Sequence, residues 1–248
     1  MVYNTSFVSY RIESPKVEVR MFCAVHLRSV LSSFAGASLE SSWIDLNSET
    51  QKIVKESLFE LLNKEPDRIV RKGLCDLIGE LGATISTFDE SDKPQLGAEA
   101  IEWDALMQNL MHYLSSNNNE YIICALKILS VLFLYSGDNY VQYKSELMEI
   151  FKKNLENEDI FVKAAAIQAL ASFLETIDAR ECKPYAELIP TVLANTVQII
   201  HTNEDLVCYF FPFFFTVREL KSWVTFKILL RQSIEFLKVT SSSSLRPW

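Results

Sequence analysis

Apolar positions along most of the chain recur at intervals of three and four, which is the period of one face of an α-helix. The clearest example is the stretch 159–174. Acidic residues lead it, so negative charge lies at the positive end of the predicted helix dipole. Its small residues Ala165, Ala166 and Ala169 would let a neighbouring helix come close. One helix cannot bury such a stripe alone, so the pattern predicts a helix within a stack. The stripe consists of Val162, Ala166, Ala169, Leu170, Phe173 and Leu174.

The same period predicts helices along the rest of the chain, separated by polar segments, glycines or prolines. Ser48 and Gln51 have the spacing of a capping box at the start of the second helix. Gly137-Asp138 predicts a turn, and Pro190 predicts a kink in the last helix. The predicted helices cover about 17–34, 48 to the break at Pro66, 67 to the polar loop 86–97, 103–114, 120–135, 140–155, 158–177 and 185–200.

The first three of these helices each have a predicted buried stripe. The stripe of the first helix includes His26, interpreted as a core histidine, and that of the second includes Ile53. The stripes of the first three helices are Val19, Cys23, His26, Leu27, Val30, Leu31; Ile53, Val54, Leu58, Leu61, Leu62; and Val70, Leu74, Leu77, Ile78, Leu81.

Four of the predicted helices share one frame, in which a branched or aromatic residue comes four positions before a small or apolar anchor. The anchors are Cys23, Leu74, Ala125 and Ala166, so they lie 51, 51 and 41 residues apart. These intervals are in or just above the range of about 40 to 47 residues typical of HEAT or armadillo units. Each hairpin of such an array buries one face on its neighbour. The frame therefore predicts an all-α HEAT-repeat solenoid, a right-handed superhelix.

The predicted organisation has three parts. Residues 1–15 show no clear period and form an irregular segment, and residues 16–205 hold about four helical hairpins. Residues 206–248 form a divergent hydrophobic and partly helical segment. Within it, the run 210–215 (Phe-Phe-Pro-Phe-Phe-Phe) breaks the frame and leaves three readings open. These are a plug that caps the stack, a membrane-surface or partner-binding element, and translated non-coding sequence.

Composition narrows the function classes. The formal charge of −8 disfavours nucleic-acid binding, which usually depends on cations that neutralise phosphates. The low content of glycine (6) and proline (7) disfavours a hairpin-rich β architecture. No apolar run reaches the roughly 18 to 20 residues needed to cross a bilayer, and residues 1–16 lack the apolar core of a secretory signal. We therefore expect no membrane and no nucleic acid among the partners.

The sequence contains no arrangement typical of catalysis. His26, His112 and His201 are isolated, and neither a Gly-rich phosphate loop nor a nucleophile elbow is present. The five cysteines are far apart and form no Cys-x-x-Cys, so neither a zinc site nor a disulfide framework is indicated. Cys23, Cys75 and Cys124 fall in or near packing positions of the repeat. We therefore expect no enzyme activity, no metal and no cofactor.

Two segments of the frame carry a family resemblance: Val17-Glu18-Val19-Arg20 with Val25, Leu27, Arg28 and Leu31, and Val70-Arg71-Lys72 with Cys75, Asp76, Glu80 and Leu81. With Trp103 and Leu106 at the start of a later helix, they resemble the importin-beta family of nuclear transport receptors. Within it, the likeness is to the karyopherin-beta-three (importin five) type. Trp103 is followed by Asp104, where that family has proline. The resemblance spans about residues 16–205.

The resemblance implies an amino-terminal part of a receptor several times longer, which moves between cytoplasm and nucleus. The implied partners are the GTPase Ran in its GTP form, cargo proteins with basic import signals, and nucleoporins, bound by a monomer. Asp76 and Glu80, four apart on one helix face, would meet a basic partner, as would the loop acids Asp89, Glu90 and Asp92. For each acid, a solvated surface position is the alternative. For the whole chain, the alternative is a HEAT scaffold unrelated to transport.

Overall fold

Helices account for almost all of the structure, a computed structural model that describes residues 14–32, 43–87, 103–178 and 180–202. The α-helices are α1 (Val17–Leu31), α2 (Ser48–Lys64), α3 (Arg68–Ser86), α4 (Asp104–Ser115), α5 (Asn119–Ser136), α6 (Lys144–Leu155), α7 (Ile160–Thr176) and α8 (Ile189–Thr202). Two 3-10 helices, Gly137–Tyr143 and Lys183–Leu188, precede α6 and α8. The described residues contain no strand. The prediction of an all-α fold is confirmed.

The helices form a stack of hairpins. The pairs α2–α3, α4–α5 and α6–α7 are each joined by three or four residues, while α1 and α8 belong to the flanking repeats. The second helices of the hairpins pack successively, α1 on α3, α3 on α5 and α5 on α7. All four anchors of the predicted frame are buried in these contacts: Cys23, Leu74, Ala125 and Ala166. The shared register is therefore the register of the packed layer.

The same frame position also starts three of these helices. Asp67, Asn118 and Asp159 each lie seven residues before an anchor, and each caps its helix through a side-chain oxygen. In α7, Asp159 Oδ1 accepts from the backbone N–H of Phe161 at 2.7 Å. An N-cap of this kind satisfies amide donors that have no partner inside the helix. The repeat thus encodes a start signal as well as a packing surface.

The predicted capping box of α2 is wrong by one residue. Asn47 is the cap, and its Oδ1 accepts from the N–H of Thr50 at 2.8 Å, whereas Ser48 lies inside the helix. The side chain of Gln51 donates to the carbonyl of Trp43 at 3.0 Å. Because asparagine and serine cap about equally well, the local pattern does not choose between them.

Gly79 in α3 allows a close approach between repeats. A Cβ added to Gly79 would lie 2.6 Å from Cβ of Val131 on α5 and 3.1 Å from the carbonyl oxygen of Ile128. Neither group can move without shifting α5 itself. In α7, Ala166 and Ala169 are completely buried in the contact with α5. The expectation that small residues in 159–174 admit a close neighbour is confirmed.

The sequence between Asn119 and Leu155 is long and apolar enough to cross a membrane by length and composition alone. The expectation that no stretch reaches this threshold is wrong by that measure, since a window of 18 residues within it has a mean hydropathy of 1.6. Most of that window, 61%, is buried inside the described structure. Since α5 packs against both α3 and α7, contacts within the stack account for its apolar side chains.

An aromatic cluster joins α5, α6 and α7. Phe133 lies 5.0 Å from Phe173 between ring centroids, and Tyr185 lies 5.6 Å from Phe173. Tyr140 packs edge-on against Phe133 at 5.4 Å. This contact lies in the 3-10 helix Gly137–Tyr143, which replaces the predicted turn at Gly137-Asp138 and delays the start of α6 to Lys144.

Three further predictions need correction. Pro190 is the second residue of α8, where a missing N–H costs nothing, so the helix begins there instead of kinking. His26 is exposed and stacks on the exposed Phe22, with ring centroids 6.0 Å apart, and the buried side of α1 includes Ala24 instead. Ile53 is exposed as well, since the stripe of α2 is rotated toward Val54 and Leu58.

Several predictions fall outside the described residues: most of the segment 1–15, most of the loop 86–97 with Asp89, Glu90 and Asp92, and all of 206–248 with the run 210–215. The division into 1–15, 16–205 and 206–248 stays a prediction.

Candidate functional site

The second helices of the hairpins form the inner surface of the stack. They pack tightly on one another, whereas α2, α4 and α6 make few contacts among themselves. A two-layer stack whose layers differ in spacing must curve toward the tighter layer. The concave surface therefore belongs to α1, α3, α5 and α7, and both features described below lie on these helices.

The first feature is the acidic pair that the sequence singled out. Asp76 and Glu80 lie one turn apart on α3, and both point toward Arg28 of α1. An Nη1 of Arg28 is 3.5 Å from Asp76 Oδ2, and its Nε is 3.7 Å from Glu80 Oε1. We call these three residues the Arg28 cluster. The structure thus brings the two predicted acids together as expected, and adds a cation between the repeats.

The environment of the cluster shifts both acids toward their neutral forms. Burial raises the pKa of Asp76, while the charges of Lys72, Arg28 and Lys127 act in the opposite direction. Burial also raises the pKa of Glu80, against the charge of Arg28 and a hydrogen bond from Ser32. The Glu80 side chain is only 10% exposed, whereas that of Asp76 is 27% exposed. Asp76 is therefore the member of the pair that a partner can reach.

The second feature is a groove across the first turns of α3, α5 and α7, with a cavity of about 320 Å³. We call it the inner groove. Its apolar wall includes Ile69, Ile123 and Phe161 with two alanines of α7, and four cations and one carboxylate lie around it. It is lined by Arg68, Ile69, Arg71, Lys72, Cys75, Glu120, Ile123, Cys124, Lys127, Phe161, Ala164, Ala165 and Gln168.

Glu120 holds two of the cations in place. Arg68 donates to Glu120 Oε1 at 2.6 Å, and an Nη2 of Arg71 lies 3.1 Å from Oε2. The guanidinium of Arg68 also lies over the ring of Phe161, 4.8 Å from its centroid. The hydrogen bond with Glu120 raises the pKa of Arg68. One residue from each of α3, α5 and α7 is thus joined in a single chain of contacts.

Two cysteines that face each other form part of the groove. The hydrogen bond between the thiols of Cys75 and Cys124, together with burial, raises the pKa of Cys75. Cys75 is completely buried and Cys124 is 4% exposed. The predicted packing role of both residues agrees with their burial. The described residues include no group of three or more His, Cys, Asp or Glu side chains placed to hold a metal ion.

Sequence reasoning missed the inner groove, although its signal was present. Ile69, Glu120 and Phe161 each lie five positions before an anchor, and Lys72, Ile123 and Ala164 lie two positions before one. Equivalent positions of successive repeats lie side by side in a stack, so these residues belong to one surface. The buried positions of the frame mark the packed layer, whereas the lining of the groove comes from other positions on three different helices.

Comparison with known families gives a direct match. The family model described as "IPO5-like, TPR repeats" matches residues 66–211, more than half of the chain. TPR units have a period of about 34 residues. The anchors of this chain are 51, 51 and 41 residues apart, which agrees with the longer HEAT period. A comparison with curated proteins gives no match.

Solved structures of Kap121p share the fold. The structure of Kap121p alone has a TM-score of 0.67 at 20% identity, and the alignment covers 95% of this chain and 21% of that one. Kap121p bound to Nup53p gives 0.66 at 19%, covering 94% and 20%. Kap121p bound to RanGTP gives 0.55 at 19%, covering 98% and 24%. The chain therefore spans about a fifth of the length of these proteins.

The fold is thus an all-α HEAT-repeat solenoid, a right-handed superhelix, as the anchor spacing predicted. Because the family model covers more than half of the chain and the fold agrees, the protein belongs to the IPO5-like family, the karyopherin-beta-three type of importin-beta transport receptors.

Proposed function

We propose that the chain is part of a nuclear transport receptor that binds RanGTP and cargo proteins with basic import signals, and moves between cytoplasm and nucleus. The observation that carries this proposal is the family match over residues 66–211, on a stack of the matching fold. Solved structures show Kap121p, a protein of the same fold, bound to RanGTP and to Nup53p. We extend these partner classes, nucleoporins included, to this chain acting as a monomer.

A receptor of this kind works by presenting surface, and its family and fold are those of transport receptors and not of enzymes. The second helices of consecutive hairpins supply a surface that continues from α1 to α7. Since each repeat contributes only a few side chains, affinity for a partner must be summed over several repeats. Small changes in curvature would then alter binding at many points together.

The Arg28 cluster gives the proposal a site for a basic partner. Its contacts of 3.5 and 3.7 Å are longer than the 2.7 to 2.9 Å of a strong charge-assisted hydrogen bond. Arg28 and Asp76 also remain about 30% exposed, and pairs open to solvent contribute little. A lysine or arginine of a partner could therefore replace Arg28 beside Asp76 at small cost. Asp89, Glu90 and Asp92 are proposed as a second acidic contact.

The test is retention on immobilised Ran loaded with GTP or with GDP. We expect retention on the GTP form only. If neither form of Ran retained this chain or the full-length product of its gene, the transport function would be refuted. An unrelated HEAT scaffold would then be favoured.

For the basic signal, the measurement is binding of a fluorescent lysine-rich peptide to the Asp76→Asn variant. We expect weaker binding, with Glu60→Gln as the matched control. Glu60 lies on α2 outside the cluster, and its side chain is 70% exposed. Equal affinity of the Asp76→Asn variant and the unmodified chain would show that Asp76 does not bind the basic signal.

A further inference from the structure

We propose that the inner groove binds an acidic segment of a partner polypeptide, in which carboxylates flank an apolar side chain. This goes beyond the proposed function, because the import signals proposed above are basic. The proposal depends on the charge of the groove, on its apolar wall and on the exposure of its cations.

The charge of the groove is opposite to that of the chain. Four cations and one carboxylate line it, whereas the whole chain has a formal charge of −8. A local concentration of positive charge on an acidic protein attracts acidic segments and repels basic ones. A lysine-rich signal would meet like charge along the first turns of α3 and α5.

The two arginines of the groove retain capacity for a second carboxylate. Arg68 and Arg71 share the single carboxylate of Glu120, and each guanidinium has five N–H donors. The side chain of Arg68 is 60% exposed, and Lys72 is exposed beside it. A carboxylate of a partner can therefore approach Arg68 and Lys72 from solvent without breaking the contacts of Glu120.

The apolar wall selects a polypeptide as the occupant. Ile69 is 63% exposed at the edge of the groove, and Ala164 and Ala165 lie against the cavity in α7. A volume of about 320 Å³ is at the small end of ligand-binding pockets, so it suits a side chain with its short flanking backbone. A nucleic acid carries phosphates along its whole length, so beyond the groove it would meet the acidic remainder of the chain.

The experiment measures the fluorescence polarisation of a labelled peptide in which glutamates flank a central phenylalanine. We expect saturable binding that weakens as ionic strength rises from about 0.05 to about 0.3 M, because salt screens exposed charges. A peptide with glutamine at every glutamate position should bind at least about tenfold more weakly. Equal binding of the two peptides would overturn the proposal, as would the absence of binding by the acidic one.

Variants locate the binding surface. The double variant Arg68→Gln/Lys72→Gln should lose about tenfold in affinity. The matched control Lys52→Gln/Lys64→Gln removes the same charge from exposed positions of α2, and should bind as the unmodified chain does. As a second variant, Gln168→Glu adds a carboxylate at the groove without removing an ion pair, and should also weaken binding.

Equal effects of the groove variant and the α2 control would overturn the proposal, since net charge alone would then explain the binding. Unchanged affinity in Gln168→Glu would also count against it. A single-stranded oligonucleotide and the unlabelled peptide are compared as competitors of the labelled peptide. If the oligonucleotide displaced the labelled peptide at the lower concentration, the groove would be a nucleic-acid site and the proposed occupant would be refuted.

Discussion

The guanidinium of Arg28 lies 3.5 Å from the carboxylate of Asp76, across the contact between α1 and α3. Asp76, which the sequence predicted to meet a basic partner, therefore already has a cation of the same chain beside it. The pair joins two repeats, so any partner that competes for Asp76 also acts on the packing of α1 against α3.

Replacing Arg28 with glutamine should lower the free energy of unfolding by roughly 1–2 kcal/mol at neutral pH, because two partly buried carboxylates lose their cation. Burial raises the pKa of both acids above their ordinary values of 3.8 and 4.5. A carboxyl with a raised pKa contributes stability below its ordinary pKa, and this contribution is lost as pH rises through the folded-state pKa.

The deficit of the Arg28→Gln variant should therefore be small near pH 4 and grow toward pH 7. Urea denaturation at both pH values measures it, and adding Asp76→Asn and Glu80→Gln should remove most of the pH dependence. A deficit of the same size at both pH values would show that Arg28 acts through packing and not through charge.

Replacing Gly79 with alanine should destabilise the protein by about 1–3 kcal/mol, because the new methyl group would overlap Val131 on α5. Gly73→Ala is the matched control on the same helix. Its methyl group would meet the sulfur of Met21 at 3.0 Å, at the flexible end of a side chain. Thermal unfolding of both variants is the measurement. Equal or greater loss in Gly73→Ala would contradict the close approach of α3 and α5.

Replacing Asn47 with alanine should cost about 1 kcal/mol, because the N–H of Thr50 loses the cap that Asn47 provides. Ser48→Ala should be nearly neutral, since Ser48 lies within α2 and does not cap it. Chemical denaturation of the two variants separates these positions by their midpoints. The reverse order of midpoints would restore the capping box predicted from the sequence.

Among the tyrosines that the structure describes, Tyr113 and Tyr185 should titrate latest. Burial raises the pKa of Tyr113 and of Tyr185 to about 12. Their hydroxyls donate to Asn63 at 2.7 Å and to the carbonyl of Lys144 at 3.1 Å. A raised pKa means that stability is fully present below about pH 10, the ordinary value, and falls as pH rises toward 12.

The ultraviolet absorbance of tyrosinate, recorded against pH, measures this late step. The amplitude of the step should be smaller in Tyr113→Phe and in Tyr185→Phe. Tyr143→Phe is the control, because Tyr143 is 49% exposed. If the late step disappeared only in Tyr143→Phe, the step would belong to Tyr143 and the prediction for Tyr113 and Tyr185 would be wrong.

The helices and their register were predictable because both depend on local spacing. Leu74, Leu77, Ile78 and Leu81 follow the helical period, and all four are completely buried. The anchors at 23, 74, 125 and 166 identified the packed layer for the same reason. Local spacing was insufficient at α2, where Asn47 and Ser48 are comparable caps, and at His26, where one turn of an apolar stripe faces outward.

The surface was less predictable than the core. The acids Asp76 and Glu80 were correctly placed on one helix face, since four residues make one turn. Their contact with Arg28 depends on how α1 lies against α3, and no sequence spacing specifies that. Likewise, Arg68 meets Glu120 across 52 residues of chain and lies over Phe161, which belongs to a third helix.

By itself, the sequence determined the helices, the start at Asp67 and the shared register of the repeats, because periodicity and capping act within a few residues. Only the tertiary structure decided that the acidic pair has an internal cation and that a basic groove crosses α3, α5 and α7. These features arise where helices from different repeats meet. Their charges combine through space, at distances set by the small residues that let the helices pack closely.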